Sequence, residues 1–122
     1  MPLEEVELPF DTESLKNGSN QFIIFFSSRV DGTLWCGDCA AVEELVNETF
    51  RPEDGQQGIL VYVGLKVEWK SADSIFRGEP WNLTAIPTII KLNKAGEEID
   101  RLVEHDLRDP VKFASFLQSL EN

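Results

Sequence analysis

The two cysteines, Cys36 and Cys39, are the residues of this chain most suited to chemistry, because together they form a single Cys-x-x-Cys motif. Two cysteines placed at random in 122 residues would have this spacing only about one time in sixty. With no further cysteine, the chain cannot build the disulfide framework of a small secreted domain. A zinc ion needs four ligands, and the chain offers these two thiols and one distant histidine, His105, in a polar stretch. The motif therefore favours a redox dithiol, with no metal and no role for His105.

Cys36 is the predicted nucleophile of this dithiol because it precedes a predicted helix. Apolar residues recur with helical spacing through residues 40–50, and an Arg-Pro pair follows that ends the pattern. Unpaired backbone N–H groups and the positive end of the helix dipole at such a terminus favour a thiolate, the form that attacks disulfides. Cys39, one helical turn further on and predicted to be more buried, would attack the resulting mixed disulfide as the resolving thiol.

The predicted helix stands between two strands that position its N-terminus. Residues 22–26 and 59–63 are continuous apolar runs, typical of strands that are covered on both faces. The order strand, helix, strand indicates that these two strands are parallel. Residues 88–92 and 98–103, separated by a turn, predict an antiparallel hairpin at one edge of the sheet.

The remaining patterns complete the predicted domain. A short helix is predicted over residues 13–17, and a terminal helix begins at Asp109-Pro110, an N-cap followed by a first-turn proline. Between residues 66 and 84 the pattern is weak, with Ser71 a candidate cap for one short helix. The predicted order is α, β, α, β, α, β, β, α. It indicates one α/β domain over residues 1–122, a central mixed β-sheet flanked by helices on both faces.

The charge of the chain disfavours several classes of partner. Twenty-two acidic and eleven basic side chains give a formal net charge of -11, which repels nucleic acid and anionic lipid. The first residues are acidic where a secretory leader would be basic, and no apolar run approaches the roughly 20 residues that cross a bilayer. The lack of a disulfide framework indicates a compartment that keeps thiols reduced, the cytoplasm or the nucleus, and we expect a cytoplasmic location. We also expect a monomer that binds neither nucleic acid nor membranes.

Two motifs together resemble the thioredoxin superfamily: Trp-Cys-Gly-Asp-Cys over residues 35–39, and Ala-Ile-Pro-Thr over residues 85–88. The resemblance implies a thioredoxin-like fold in which the bond between Ile86 and Pro87 is cis and faces the dithiol. It also implies that the Ile86 backbone pairs with an extended substrate and that Trp35 offers this substrate a flat apolar contact.

Within this superfamily the chain is most similar to the thioredoxin domain-containing protein 17 family, also called Clot-like, over nearly its whole length. The features that carry the similarity are Phe25-Phe26-Ser27-Ser28, Asp31-Gly32, Trp35-Cys36, Asp38, Val63-Gly64, Trp69-Lys70 and residues 85–88. The resemblance implies an enzyme of cell redox homeostasis, a protein-disulfide reductase that also acts on small disulfides such as cystine. It further implies that no cofactor is bound and that NADPH supplies electrons through thioredoxin reductase.

The chain departs from these patterns at the dithiol. Gly37 stands where the family has proline, and the strand over residues 22–26 lacks the buried aspartate of ordinary thioredoxins. Asp38 is the first candidate for a substitute proton carrier, and Asp31 is the second. The Asp38 carboxylate has two opposed possible effects, because it could repel the nucleophilic thiolate or accept a proton from the resolving thiol.

A second class of function stays open at this point. It is a thioredoxin-like module without catalysis, which binds protein partners through its acidic surface. The presence of both cysteines in one motif argues against this alternative. A glutathione-dependent glutaredoxin is disfavoured because Gly37-Asp38 stands where that class has Pro-Tyr.

Overall fold

The computed structural model describes residues 3–6, 22–50, 58–72, 74–78, 81–93 and 97–118. The described strands are β1 (Leu3–Val6), β2 (Phe22–Phe26), β3 (Arg29–Val30), β4 (Thr33–Leu34), β5 (Gly58–Tyr62), β6 (Thr88–Leu92) and β7 (Glu98–Val103). The described helices are α1 (Gly37–Phe50), α2 (Lys66–Lys70) and α3 (Pro110–Gln118), with a 3-10 helix over Glu104–Arg108 before α3. The helix predicted over residues 13–17 lies outside the described residues.

Five strands form one mixed sheet in the order β1-β5-β2-β6-β7. β5 runs parallel to β1 and β2, whereas β6 is antiparallel to β2 and β7 is antiparallel to β6. The predicted parallel pair and the predicted hairpin at one edge of the sheet are therefore confirmed. The strand predicted over residues 59–63 begins and ends one residue earlier, at Gly58 and Tyr62.

The two faces of β2 are both covered, as the apolar run predicts. Phe22 contacts Phe50 of α1 and Phe116 of α3, with ring centroids 5.4 Å and 5.5 Å away. Phe25 lies on the opposite face of the sheet because side chains alternate along a strand, and its ring is 5.8 Å from that of Phe76. The contact between Phe22 and Phe50 holds the C-terminal end of α1 against the start of β2. The N-terminal end of α1 lies beside the other end of β2, where Ser27 follows the strand.

Two features of the structure, strand β1 and the β3–β4 hairpin, are not predicted from the sequence. β1 has two glutamates among its four residues, so its pattern carries no strand signal; it forms by pairing with the outer edge of β5. β3 and β4 form a hairpin around Asp31 and Gly32, whose φ angles of 53° and 83° suit a two-residue turn. The predicted element order, which has neither β1 nor this hairpin, is wrong in these two places.

The sequence predicts a short helix that begins at Ser71, but the helix in the structure precedes this residue. α2 ends at Lys70, so Ser71 follows the helix instead of capping its start. The Glu68 carboxylate accepts the Leu65 backbone N–H at 2.8 Å, which satisfies one of the amides at the N-terminus. The predicted cap at Ser71 is wrong because a helix of five residues is too short to show an apolar period.

The terminal helix α3 begins as predicted. The Asp109 carboxylate accepts the backbone N–H groups of Val111 and Lys112 at 3.0 Å and 3.2 Å, the geometry of an N-cap. Phe113, on the apolar face of this helix, is buried. None of the described helices is both long enough and apolar enough to span a membrane.

Candidate active site

The dithiol lies where the chain passes from the β3–β4 hairpin into α1. Cys36 immediately precedes the helix, which begins at Gly37, and Cys39 lies in the first turn. Both cysteines are free thiols. Cys36 is half-buried, whereas the Cys39 side chain has 0% of its surface exposed. The burial difference is the predicted one and leaves Cys36 as the thiol that solvent and substrates can reach.

The N-terminus of α1 directs backbone hydrogen bonds at the first cysteine. The Cys39 N–H donates to Cys36 Sγ at 3.4 Å, and the Ala40 N–H donates to the Cys36 carbonyl at 3.0 Å. The Cys39 N–H is one of the amides that a helix leaves without an intrahelical partner at its start. A negative charge on Cys36 Sγ would strengthen this hydrogen bond and would lie at the positive end of the helix dipole. The local geometry thus places a helix N-terminus and a backbone donor beside Cys36 Sγ.

Ser27 contacts both cysteines, and the sequence analysis assigned it no role. It is fully buried at the end of β2, where its N–H donates to Cys39 Sγ at 3.5 Å. Its Oγ accepts the Cys36 backbone N–H at 3.1 Å. One signal could have identified it: Ser27 is the first polar residue after an apolar strand, at the carboxyl end of the sheet, where open α/β folds place their sites.

The burial of Cys39 sets its ionisation. Removal from water raises the pKa of the Cys39 thiol well above its ordinary value, because burial penalises the charged form. Hydrogen bonds from Ser27 oppose this rise, while the contact with Cys36 adds to it. Cys39 is therefore protonated at neutral pH, which suits a thiol that must wait until the mixed disulfide has formed.

The raised pKa of Cys39 predicts a loss of stability at alkaline pH. In the unfolded chain a cysteine ionises near pH 8.5, about the free-thiol value, while folded Cys39 keeps its proton. Above that pH the unfolded state binds fewer protons, so the free energy of unfolding falls as pH rises. Relative to Cys39→Ala, the reduced protein should lose roughly 1 kcal/mol more between about pH 9 and pH 10. Urea unfolding at a series of pH values under excess reductant measures this difference, and parallel curves for the two proteins would contradict it.

The segment with the predicted cis-proline faces the nucleophile. The bond between Ile86 and Pro87 is cis, as predicted. The Ile86 carbonyl oxygen lies 3.8 Å from Cys36 Sγ and accepts a hydrogen bond from the thiol. The Thr88 hydroxyl donates to the Ala85 carbonyl at 2.7 Å and holds the turn around the proline. Cys36 and Ile86 are in contact although they are 50 positions apart in the chain. The two motifs, over residues 35–39 and 85–88, therefore meet in one site.

Trp35 is held at the rim of the site by its indole nitrogen. Its Nε1–H donates to the Gly64 carbonyl at 2.8 Å, and its backbone N–H donates to the Ser28 carbonyl at 3.3 Å. The side chain is half-buried and packs against the core. Trp35 is thus fixed in place with part of its surface accessible next to Cys36, as a substrate contact requires.

The β3–β4 hairpin is fastened to α1 by a salt bridge. Arg29 pairs with Glu43 of α1 and also donates to the Gly32 carbonyl at 3.2 Å. The hydrogen bond from Arg29 to Glu43 raises the pKa of the guanidinium, since it stabilises the charged form. The hairpin joins β2 to the dithiol, so this pair helps to fix the segment that leads into Cys36.

The predicted carboxylates lie at different places in the site. Asp38 is half-buried in the first turn of α1, between the cysteines in sequence, whereas Asp31 is exposed at the tip of the hairpin. The hydrogen bonds described for the two thiols go to Ser27, to Ile86 and to the backbone of Cys39. Neither carboxylate is among these partners, and a role for Asp38 or Asp31 in proton transfer stays a prediction. 

Two cysteines and one distant histidine in the sequence disfavour a zinc site. His105 lies exposed in the 3-10 helix. Across the residues that the structure describes, no group of three or more histidine, cysteine, aspartate and glutamate side chains is arranged to hold a metal ion.

The described fold is that of the thioredoxins. Mitochondrial thioredoxin 3 of Saccharomyces cerevisiae has a TM-score of 0.62 at 17% identity, over 97% of this chain and 95% of that chain. A thioredoxin of Schistosoma mansoni has a TM-score of 0.54 at 21% identity, over 94% of each chain. At these identities the likeness shows the fold alone. It confirms the predicted thioredoxin-like α/β class, a mixed sheet flanked by helices.

The family follows from a more specific match. Residues 3–118 match the thioredoxin domain of thioredoxin domain-containing protein 17-like proteins, and the chain belongs to this family. It is also 26% identical over 122 residues to thioredoxin domain-containing protein C21C3.12c of Schizosaccharomyces pombe, covering 96% of this chain and 97% of that protein. The family resemblance predicted from the two motifs is confirmed, and with it a thioredoxin-family domain that carries a closely placed cysteine pair.

Proposed function

We propose that this protein is a thiol-disulfide oxidoreductase that reduces disulfides in proteins and in small molecules with the Cys36/Cys39 dithiol. One observation carries the proposal. A reachable thiol, Cys36, accepts a hydrogen bond from the start of a helix at 3.4 Å, and a fully buried thiol lies one turn behind it. An accessible thiolate and a shielded second thiol are the two parts that disulfide exchange needs.

The reaction proceeds in two exchange steps. The Cys36 thiolate attacks one sulfur of the substrate disulfide, forms a mixed disulfide and releases the other substrate sulfur as a thiolate. Cys39 then gives up its proton and attacks Cys36 Sγ, which expels the second substrate sulfur. The second substrate sulfur takes up the proton that Cys39 gave up, and the first substrate thiolate takes up a proton from water. Two electrons pass from the dithiol to the substrate, and Cys36 and Cys39 are left joined by a disulfide.

The substrate is proposed to bind between Trp35 and the cis-proline segment. The Ile86 carbonyl, 3.8 Å from Cys36 Sγ, marks the backbone along which an extended substrate would lie. Trp35, fixed through its Nε1 on Gly64, offers a flat apolar surface on the other side. Cystine and exposed protein disulfides are the substrates proposed for this site.

The electron source and the setting are part of the same proposal. The dithiol stores both electrons itself, so the reaction needs no bound cofactor. NADPH would reduce the Cys36/Cys39 disulfide through thioredoxin reductase in the cytoplasm, with the protein acting as a monomer. The net charge of -11 supports protein and small-molecule partners over nucleic acid or membranes.

Consumption of NADPH by the purified protein with thioredoxin reductase and cystine tests the proposal. We expect steady consumption that requires all components and that stops when Cys36, the reachable thiol, is alkylated beforehand. A second assay separates the dithiol from its electron donor: chemically reduced protein should convert one equivalent of cystine to cysteine without NADPH. Failure of this second assay would overturn the reductase function and favour the partner-binding module.

A further inference from the structure

Ser27 is set apart from the other buried polar residues by its contact with the dithiol. Among the described residues, three polar or charged side chains are buried: Ser27, Thr88 and Lys91. Thr88 hydrogen-bonds the Ala85 carbonyl, and Lys91 donates to the Phe116 carbonyl at 3.2 Å. These two contacts hold a turn and a helix end, whereas the contacts of Ser27 go to the two reacting cysteines.

The hydrogen-bond chemistry of Ser27 is matched to a cysteine anion. Its backbone N–H already points at Cys39 Sγ, 3.5 Å away. Its Oγ accepts a hydrogen bond from the Cys36 N–H at 3.1 Å. A hydroxyl that accepts one hydrogen bond can still donate its own proton in another. The Ser27 side chain, like its backbone N–H, opposes the rise in the pKa of the Cys39 thiol. Ser27 therefore contacts the sulfur that must become negatively charged through its N–H, and its hydroxyl is a second donor on the same residue.

We propose that Ser27 is a catalytic residue of the second exchange step, in which its N–H and its hydroxyl together stabilise the Cys39 thiolate that attacks Cys36 Sγ. This assignment rests on the proposed disulfide-reductase function and adds a residue to it. By bonding the Cys36 backbone as well, Ser27 also holds the attacked cysteine in place relative to the attacking one.

Because Cys39 is buried, hydrogen-bond donors beside its sulfur have a large effect on the stability of its thiolate. A buried sulfur anion has lost its water, and each hydrogen bond to it replaces part of that solvation. β2 contains no acidic residue, so the strand itself offers no carboxylate to take the Cys39 proton. The Ser27 hydroxyl is neutral and donates without accepting that proton. The proton instead goes to the departing substrate sulfur, which balances the second step.

Among the residues that the structure describes, one titratable side chain contributes to the shifted pKa of Cys39. Cys36 is the group that acts on its thiol, through a hydrogen bond and through its charge, and it is consumed in the mixed disulfide before the second step begins. Asp38 is the chain neighbour of Cys39 on α1. From the end of β2, the facing residue is the uncharged Ser27. Loss of the Ser27 hydroxyl should therefore change the pH dependence of the second step and leave the first step nearly unchanged.

An aromatic disulfide that releases a coloured thiolate, 5,5′-dithiobis(2-nitrobenzoate), separates the two steps in stopped-flow measurements. The first coloured thiolate reports attack by Cys36, and the second reports attack by Cys39 on the mixed disulfide. For Ser27→Ala we expect a first phase within about threefold of wild type and a second phase slowed about 10- to 100-fold, the worth of a hydrogen bond to an anion. The pH dependence of the second phase should move to higher pH. Ser27→Thr, which keeps the hydroxyl, should restore both.

Ser28→Ala is the matched control. It removes a neighbouring hydroxyl that accepts the Gly64 backbone N–H at 2.9 Å and that contacts neither sulfur. Its second phase should keep the wild-type pH dependence. If Ser27→Ala does not fold, Ser27→Thr and Ser27→Val, which differ by one hydroxyl in nearly equal volumes, provide the same comparison.

The outcomes distinguish the two proposals. A second phase in Ser27→Ala that matches wild type at every pH would overturn the role of Ser27 and leave the reductase intact. Equal slowing of both phases without rescue by threonine would also overturn it, because a merely structural serine acts in that way. A wild-type protein that releases no second thiolate would instead contradict the dithiol mechanism itself.

Discussion

Cys36→Ser should lower cystine-dependent NADPH consumption by about a thousandfold or more, because a serine hydroxyl is hardly ionised at neutral pH and does not exchange with disulfides. The substitution replaces one atom at a half-buried position, so the fold should be retained. The hydrogen bond from the Cys39 N–H would pass from the sulfur to the hydroxyl oxygen. The coupled assay with thioredoxin reductase measures the loss, and unfolding by urea measures whether the variant is folded.

The control for this prediction is the partner thiol. In Cys36→Ser the remaining Cys39 is buried and protonated, and it should not take over as nucleophile. Turnover above about one per cent of wild type would mean that Cys39 reaches substrate on its own. That result would contradict the assignment of the two roles, although it would leave a redox function in place.

Cys39→Ser should trap the protein as a mixed disulfide with its substrate. Attack by Cys36 still occurs, but the second step now needs an external thiol instead of a group held one helical turn away. Because such a held group acts with a high effective concentration, steady-state turnover should fall about a hundredfold or more. Mass spectrometry after mixing with cystine should show one half-cystine added per chain.

Wild type and Cys36→Ser, mixed with cystine in the same way, are the comparisons for Cys39→Ser. Wild type should show no lasting adduct, since Cys39 resolves it, and Cys36→Ser should show none because no nucleophile is present. An adduct on Cys39 in the Cys36→Ser variant, or the absence of one on Cys39→Ser, would reverse the proposed order of attack. Tryptic mapping identifies which sulfur carries the added group.

The parts of the site that could be predicted from sequence depend on short-range signals. The motif over residues 35–39 and the helical period after it determine that Cys36 precedes a helix and that Cys39 faces inward. The strand-forming run over residues 22–26 and the hairpin of β6 and β7 are equally local. The cis-proline was predicted through the family resemblance, because a single X-Pro bond carries no local mark of its isomer.

The parts that could not be predicted depend on which segments meet in space. Ser27 gains its role because the end of β2 lies against the start of α1, 12 residues away from Cys39 in the chain. β1 pairs with β5, whose first paired residue is Gly58, so no pattern near Leu3 could indicate it. Asp38 stays the proton carrier predicted from residue type, whereas the side chain beside the buried thiol is that of a neutral serine. Residue type does not distinguish Ser27 from the other serines, and its one sequence signal is its position as the first polar residue after β2.

Because Cys39 is buried, reagents can reach only one of the two thiols while the chain is folded. An alkylating reagent such as iodoacetamide meets one reachable sulfur, that of Cys36, in the folded protein, because Cys39 has no exposed surface. An unfolded chain presents both cysteines. The number of alkyl groups per molecule therefore distinguishes folded from unfolded chains in a mixture, and the rate at which the second group is added reports how often the core around α1 opens.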